Sequence, residues 1–221
     1  MPVIRLGKGT AENQSQHPRG WIGRWVLRNM NTRHSKVTDW GLSHVAIGRN
    51  STILDVGCGG GRTIAKLTAM TNAKVVGVDP SSASIAVASK LNKHLISSSR
   101  VEIRQVSVSD LPFAEDTFDL ITAVETHFWW PDLPNDVGQV ARVLKAGGTF
   151  LIIAEVYRGS TARNARMIEK YLPEVGLKLM TIDEHRSLLE ENGFGAIEID
   201  VVSDKGWICC KAAKPLRRAF V

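Results

Sequence analysis

Ile53, Leu54, Asp55 and Val56 run directly into Gly57, Cys58, Gly59, Gly60, Gly61 and Arg62, and this junction constrains the fold more than any other stretch. A short apolar run suits a strand buried on both faces. The glycines that end it let the backbone turn sharply and approach a ligand that side chains would keep away. The apolar pattern that follows, Ile64, Ala65, Leu67 and Met70, is helical, so a helix is expected from about Thr63 and the turn lies at its N-terminus. Strand, glycine turn and helix in that order are a cofactor-holding unit of a parallel α/β sheet.

Spacing narrows the ligand. A dinucleotide turn needs a third glycine that would fall on Arg62 counting from Gly57, or on Ile64 counting from Gly59, and neither is glycine. A triphosphate-binding loop closes with Lys-Ser or Lys-Thr, whereas this turn closes too early with Arg62 and Thr63. A second apolar run, Val75 to Val78, ends in Asp79, about 20 residues on, where a carboxylate accepts from both hydroxyls of a ribose.

The rest of the chain repeats the alternation. Strands are expected at 52–56, 74–78, 101–106, 118–124 and 149–156, with helices from 63, at 82–94 and at 135–144. A helix at 182–191 stops at Asn192 and Gly193, and strands at 196–202 and 207–211 follow. Cys209 and Cys210 would then point to opposite faces of the last strand. With Cys58 in the turn, the three cysteines offer no disulfide framework, and no metal site is assigned.

The glycine turn, Val78-Asp79-Pro80-Ser81, Leu111-Pro112-Phe113 with Thr117-Phe118-Asp119, and Leu144-Lys145-Ala146-Gly147-Gly148 stand in an order and spacing that resemble the class I S-adenosylmethionine-dependent methyltransferases of the small-molecule type. The resemblance runs from about Asn31 to Lys214. It implies a Rossmann-like, doubly wound, mostly parallel seven-stranded sheet with an antiparallel last strand and helical lid insertions. It also implies S-adenosylmethionine as cofactor, S-adenosylhomocysteine as product and a small-molecule methyl acceptor.

On that resemblance Asp55 faces the cationic amino group, and Gly57, Gly59 and Gly61 give backbone access. Asp79 holds the ribose, with Pro80 and Ser81 beside the adenine. Ser107 stands where the family commonly has aspartate, so its hydroxyl and the Val108 backbone are assigned to the adenine edge. Ala146 replaces a common proline in the approach to the fifth strand. Val124 and Glu125 follow the fourth strand as cofactor neighbours.

Phe128, Trp129, Trp130 and Tyr157 are candidates for the substrate pocket. The first three are equally well read as anchors for the next helix. A dedicated base is optional for an in-line methyl transfer; His127 and His34 are the candidates because imidazole titrates near neutrality.

The 221 residues are read as one methyltransferase domain at 21–214, with a cap at 21–48 and a lid insertion at 157–180. Residues 1–20 are read as a flexible arm and 215–221 as a basic tail. Hydrophobic content of 43% and the lack of a long apolar run argue against a membrane protein, and the polar N-terminus carries no signal-peptide pattern, so a cytoplasmic protein is expected. The net charge of +6 is placed partly in the tails and does not by itself require a polyanion.

Nucleic acid is disfavoured, although Arg158, Arg163 and Arg166 keep an RNA or protein methyltransferase as an alternative. A non-catalytic S-adenosylmethionine-binding protein is another, and an aminopropyl transferase ranks last. Monomer and homodimer both remain open.

Overall fold

The computed structural model describes residues 35–162 and 178–216. In chain order the elements are α1 (Ser35–Leu42), β1 (Ile53–Val56), α2 (Arg62–Met70), β2 (Val75–Asp79), α3 (Ser82–Leu91), α4 (Lys93–Ser97) and β3 (Val101–Gln105). They continue with β4 (Phe118–Val124), α5 (Leu133–Val143), β5 (Leu144–Ala154), α6 (Ile182–Glu191), β6 (Gly195–Val202) and β7 (Trp207–Ala213). The seven strands form one sheet in the order β3-β2-β1-β4-β5-β7-β6. The β3-β2-β1-β4-β5 pairings are parallel, and β7 runs antiparallel to both β5 and β6.

The central strands are buried on both faces because alternate residues feed two separate cores. Leu54, Val56, Val76, Val78, Ile121, Phe150, Ile152 and Cys210 pack under α5 and α6 with Val137, Val140 and Leu189. Ile53, Val75, Leu120, Leu151, Ile153 and Cys209 face α1, α2 and α3 through Val37, Ile64, Leu67 and Ala88. Cys209 and Cys210 therefore do lie on opposite faces, and burial pushes the Cys209 thiol up to about 12. Gly77 lets α2 close on the sheet, since a Cβ there would lie 2.3 Å from Ile64 Cδ1. Gly41 does the same for α1 against Ile153.

Helix starts follow local chemistry. Ser81 caps α3 by accepting from the Ser84 amide, and Asp132 caps α5, which carries Pro134 in its first turn. Thr181 and Glu184 close a reciprocal capping box on α6.

Two expectations shift. The helix expected at 82–94 ends at Asn92, whose side chain turns back to the Ala88 carbonyl, and restarts as α4. The Lys145 to Gly148 turn is taken up inside β5 as a bulge, because Leu144 already pairs with Phe118 and the register then jumps to Leu120 and Thr149. Of the expected cap, α1 is described; the helix around Trp21, His34, the arm at 1–20, most of the lid (163–177, with Arg163 and Arg166) and the tail beyond 216 lie outside the described residues. Among the described residues no helix is long and apolar enough to cross a membrane.

Candidate active site

The carboxyl ends of β1, β2, β3 and β4 converge where the strand order reverses, the place where open α/β sheets take their ligands. Gly57, Gly59 and Gly61 have φ of 71°, 50° and 77°, the left-handed region that favours glycine. The amides of Gly57 and Cys58 both donate to the Val78 carbonyl, at 2.8 and 2.9 Å, which ties the turn to the end of β2. A Cβ on Gly57 would lie 2.0 Å from Thr126 Oγ1, so the turn and the loop after β4 are in contact. Buried Asn92 clamps the far side, donating to the Gly61 carbonyl at 3.0 Å.

Asp79 ends β2 with its carboxylate aimed by two backbone amides: Oδ2 accepts from Gly59 at 3.0 Å and Oδ1 from Ser81 at 2.9 Å. The Pro80 carbonyl accepts from Gln105 Nε2 at 3.1 Å. The Val106 amide donates to the Asp79 carbonyl, which brings the end of β3 alongside. Ser107 comes next and caps the short 3-10 turn Val108–Asp110, its Oγ accepting from the Ser109 amide at 3.3 Å, with Val108 buried. Asp79, Pro80, Ser81, Ser107 and Val108 thus line one edge.

Asp55 lies beneath the turn and is 1% exposed. Its Oδ1 accepts from Thr122 Oγ1 at 2.7 Å, the residue opposite it in the β1–β4 register, while Oδ2 has no partner among the described residues. Burial pushes its carboxyl up to about 7; the Thr122 hydroxyl pulls the other way and the Asp79 charge adds to the rise. Burial also raises the Cys58 thiol well above its usual range, so the turn carries no thiolate.

After Val124 the chain bends at Glu125, which adopts φ 57°, a conformation uncommon outside glycine. Its amide donates to the Ile153 carbonyl at 2.9 Å and its Oε1 accepts from the Glu155 amide, so the bend is held from β5. Trp130 Nε1 donates to Thr126 Oγ1 at 3.3 Å. The indole of Trp130 stacks on Phe150, and Phe128 and Tyr157 are also buried in that core, leaving Trp129 half-buried. Phe128 and Trp130 thus pack into the core rather than lying open to the crevice.

His127 is 1% exposed, and its Nε2 meets Nε2 of His185 on α6 at 3.0 Å. His34, the other candidate base, lies outside the described residues. Sequence reasoning missed His185. The available signal was a polar ring on the apolar stripe of α6, between Ile182 and Leu188 and Leu189. It missed Thr122 and Asn92 as well. Beside this loop a groove of about 550 Å³ opens between α5, α6 and residues 178–180, lined by Leu133, Leu179, Met180 and Leu188 with Arg158 at its rim.

Residues 53–148, from the first residue of β1 into the β5 bulge, match the methyltransferase domain family. The chain belongs to the class I S-adenosylmethionine-dependent methyltransferases. Among its methyltransferase relatives, the O-methyltransferase cnsE of Penicillium expansum is 28% identical over 159 residues, covering 72% of this chain and 57% of the relative. The methyltransferase GfsG of Streptomyces halstedii is 32% identical over 155 residues, covering 69% and 56%. The chain thus spans little more than half the length of these relatives. A chain from the complex between the Haloferax volcanii Trm112 methyltransferase activator and a methyltransferase superposes with a TM-score of 0.77 at 18% identity, covering 88% of this chain and 96% of that one. That likeness is one of fold.

Proposed function

We propose that this chain binds S-adenosylmethionine at the β1 turn and transfers its methyl group to a small-molecule acceptor, releasing S-adenosylhomocysteine. The observation that carries the reading is Asp55: a buried carboxylate oxygen without a partner among the described residues, under three left-handed glycines and across from Asp79. An orphaned acceptor of that kind is costly unless a cation meets it, and the α-ammonium of the methyl donor is such a cation.

Gly57, Gly59 and Gly61 keep side chains out of the path of the bound molecule. Asp79 takes the ribose hydroxyls, since its carboxylate is already oriented by the Gly59 and Ser81 amides. Pro80, Ser81, Ser107 and Val108 border the adenine, and Val124 with Glu125 borders the amino-acid end. When bound, the donor supplies an electrophilic methyl on a sulfonium. The chain's own contribution is alignment and exclusion of water, for which the anchored loop 125–130 and Tyr157 form the acceptor side. His127 is the described candidate base; His34 is the second. Residues 21–214 act as one domain in this proposal.

Radiolabelled methyl transfer from S-adenosylmethionine to a panel of phenols, amines and thiols tests the reading. Label in at least one product, absent with Asp55→Asn, is expected. Donor binding with no transfer to any member would favour a non-catalytic binding protein.

A further inference from the structure

His127 and His185 meet across the seam between the turn after β4 and the first turn of α6. Both ends of this seam are anchored: the Lys178 amide donates to the Phe128 carbonyl at 3.1 Å, the Arg158 amide to Met180 at 2.8 Å, and Thr181 sits in the α6 capping box. A hydrogen bond between two ring nitrogens needs one proton between them, and the neighbours decide which ring supplies it.

His185 Nδ1 lies 2.7 Å from the Thr181 carbonyl oxygen. A carbonyl only accepts, so Nδ1 of His185 carries a proton. Burial moves both imidazoles toward the neutral form, His127 further than His185. A neutral His185 protonated on Nδ1 has a bare Nε2, which makes His127 Nε2–H the donor. His127 then has no proton left for Nδ1, and that nitrogen is buried without a partner among the described residues. The sequence Thr181 carbonyl, His185, His127 ends in one unspent lone pair. A ring pair built only for packing gains nothing from an unpaired buried acceptor, which costs stability.

We propose that His185 is a positioning residue that fixes His127 in the Nε2–H tautomer, so that the Nδ1 lone pair receives the proton of an acceptor O–H or N–H group during methyl transfer. The proposal rests on the methyl-transfer reading above. As the new bond to carbon forms, sulfur takes back the electron pair of the broken carbon–sulfur bond and the acceptor's proton passes to His127 Nδ1. The imidazolium formed is stabilised because its Nε2–H still donates to His185. The relay matches acceptors that carry a polar hydrogen; an acceptor that enters as a thiolate has no use for it.

Imidazole nitrogen shifts from the full chain labelled with 15N-histidine provide the direct readout. His127 is expected with Nδ1 unprotonated and Nε2 protonated, and His185 with the reverse; the opposite tautomer on His127 overturns the proposal. In transfer assays with phenol and primary amine acceptors, His185→Leu is expected to lower kcat by roughly 10- to 100-fold through misplacement of the ring. His185→Gln, whose amide oxygen can replace the lost acceptor, is expected to restore most of it, with the Kd for S-adenosylmethionine unchanged in both.

Wild-type kcat in His185→Leu, or labelling of thiols alone, also overturns the proposal. Should His185→Leu fail to fold, the nitrogen shifts of the wild type and the Gln variant still decide. Failure of the wild type to bind S-adenosylmethionine would instead refute the methyl-transfer reading, while the shifts report the tautomer independently.

Discussion

Asp55→Asn should separate what this position costs the fold from what it gives the site. The carboxyl is raised from 3.8 to about 7 in the folded chain. The sign follows from proton counting: a carboxyl that holds its proton more tightly when folded contributes fully below 3.8, and that contribution is lost as pH rises to about 7. The difference, 7 − 3.8, is about 3 pKa units, or about 4 kcal/mol at about 1.4 kcal/mol per unit.

Asparagine removes that loss. It keeps an acceptor for the Thr122 hydroxyl but places an amide N–H₂ where Oδ2 has no partner among the described residues, at a cost of about 1–3 kcal/mol. The variant should therefore be about 1–3 kcal/mol less stable than wild type near pH 4 and up to about 3 kcal/mol more stable near pH 8. Urea unfolding across that range, with slopes compared to confirm two-state behaviour, measures the crossover. The same variant should lose affinity for S-adenosylmethionine above about pH 7, where the wild-type carboxyl is ionised, and the difference should narrow as pH falls. A stability difference that does not change sign with pH would refute the reasoning.

Gly57→Ala combines a positive φ with a Cβ 2.0 Å from Thr126 Oγ1, so a loss of about 2–4 kcal/mol and of cofactor binding is expected, read by unfolding and calorimetry. Asn92→Leu removes the donor to the Gly61 and Ala88 carbonyls; about 1–3 kcal/mol of stability should go, with donor Kd rising more than for an equally destabilising substitution in the outer strands. Thr122→Val removes the hydrogen bond that favours ionised Asp55, so its donor Kd should climb more steeply than wild type's as pH falls from 7.5 to 6, measured by titration calorimetry. A parallel pH dependence in the two proteins would count against Asp55 as the ammonium partner.

The parts of this fold written locally were legible. The β1 to α2 unit was readable because a buried strand, a positive-φ turn and an amphipathic helix each leave a short-range pattern, and β2 ending in Asp79 repeats it. The break at Asn92 was not, because the amide that ends α3 there is turned toward Gly61, a residue distant in sequence. Leu144 was read as the end of a helix, since only its pairing with Phe118 makes it the first residue of β5.

At the site, Asp55 was legible as the acidic residue of the first strand, yet its raised carboxyl depends on burial, opposed by the Thr122 hydroxyl from another strand. His127 was visible as an imidazole near the crevice. Its partner was not, because His185 lies 58 positions away on a stripe whose spacing reads as core. Composition could not divide Phe128, Trp129 and Trp130 between core and crevice; the position of Phe150 does so for Trp130.

Titration calorimetry of the full chain with S-adenosylmethionine, run beside Asp79→Ala, tests the central claim most directly. One donor molecule per chain should bind, with proton release below pH 7 as Asp55 ionises, and Asp79→Ala should bind at least tenfold more weakly, a loss of about 1.4 kcal/mol or more. No heat of binding in the wild type, or equal affinity in the two proteins, would contradict it.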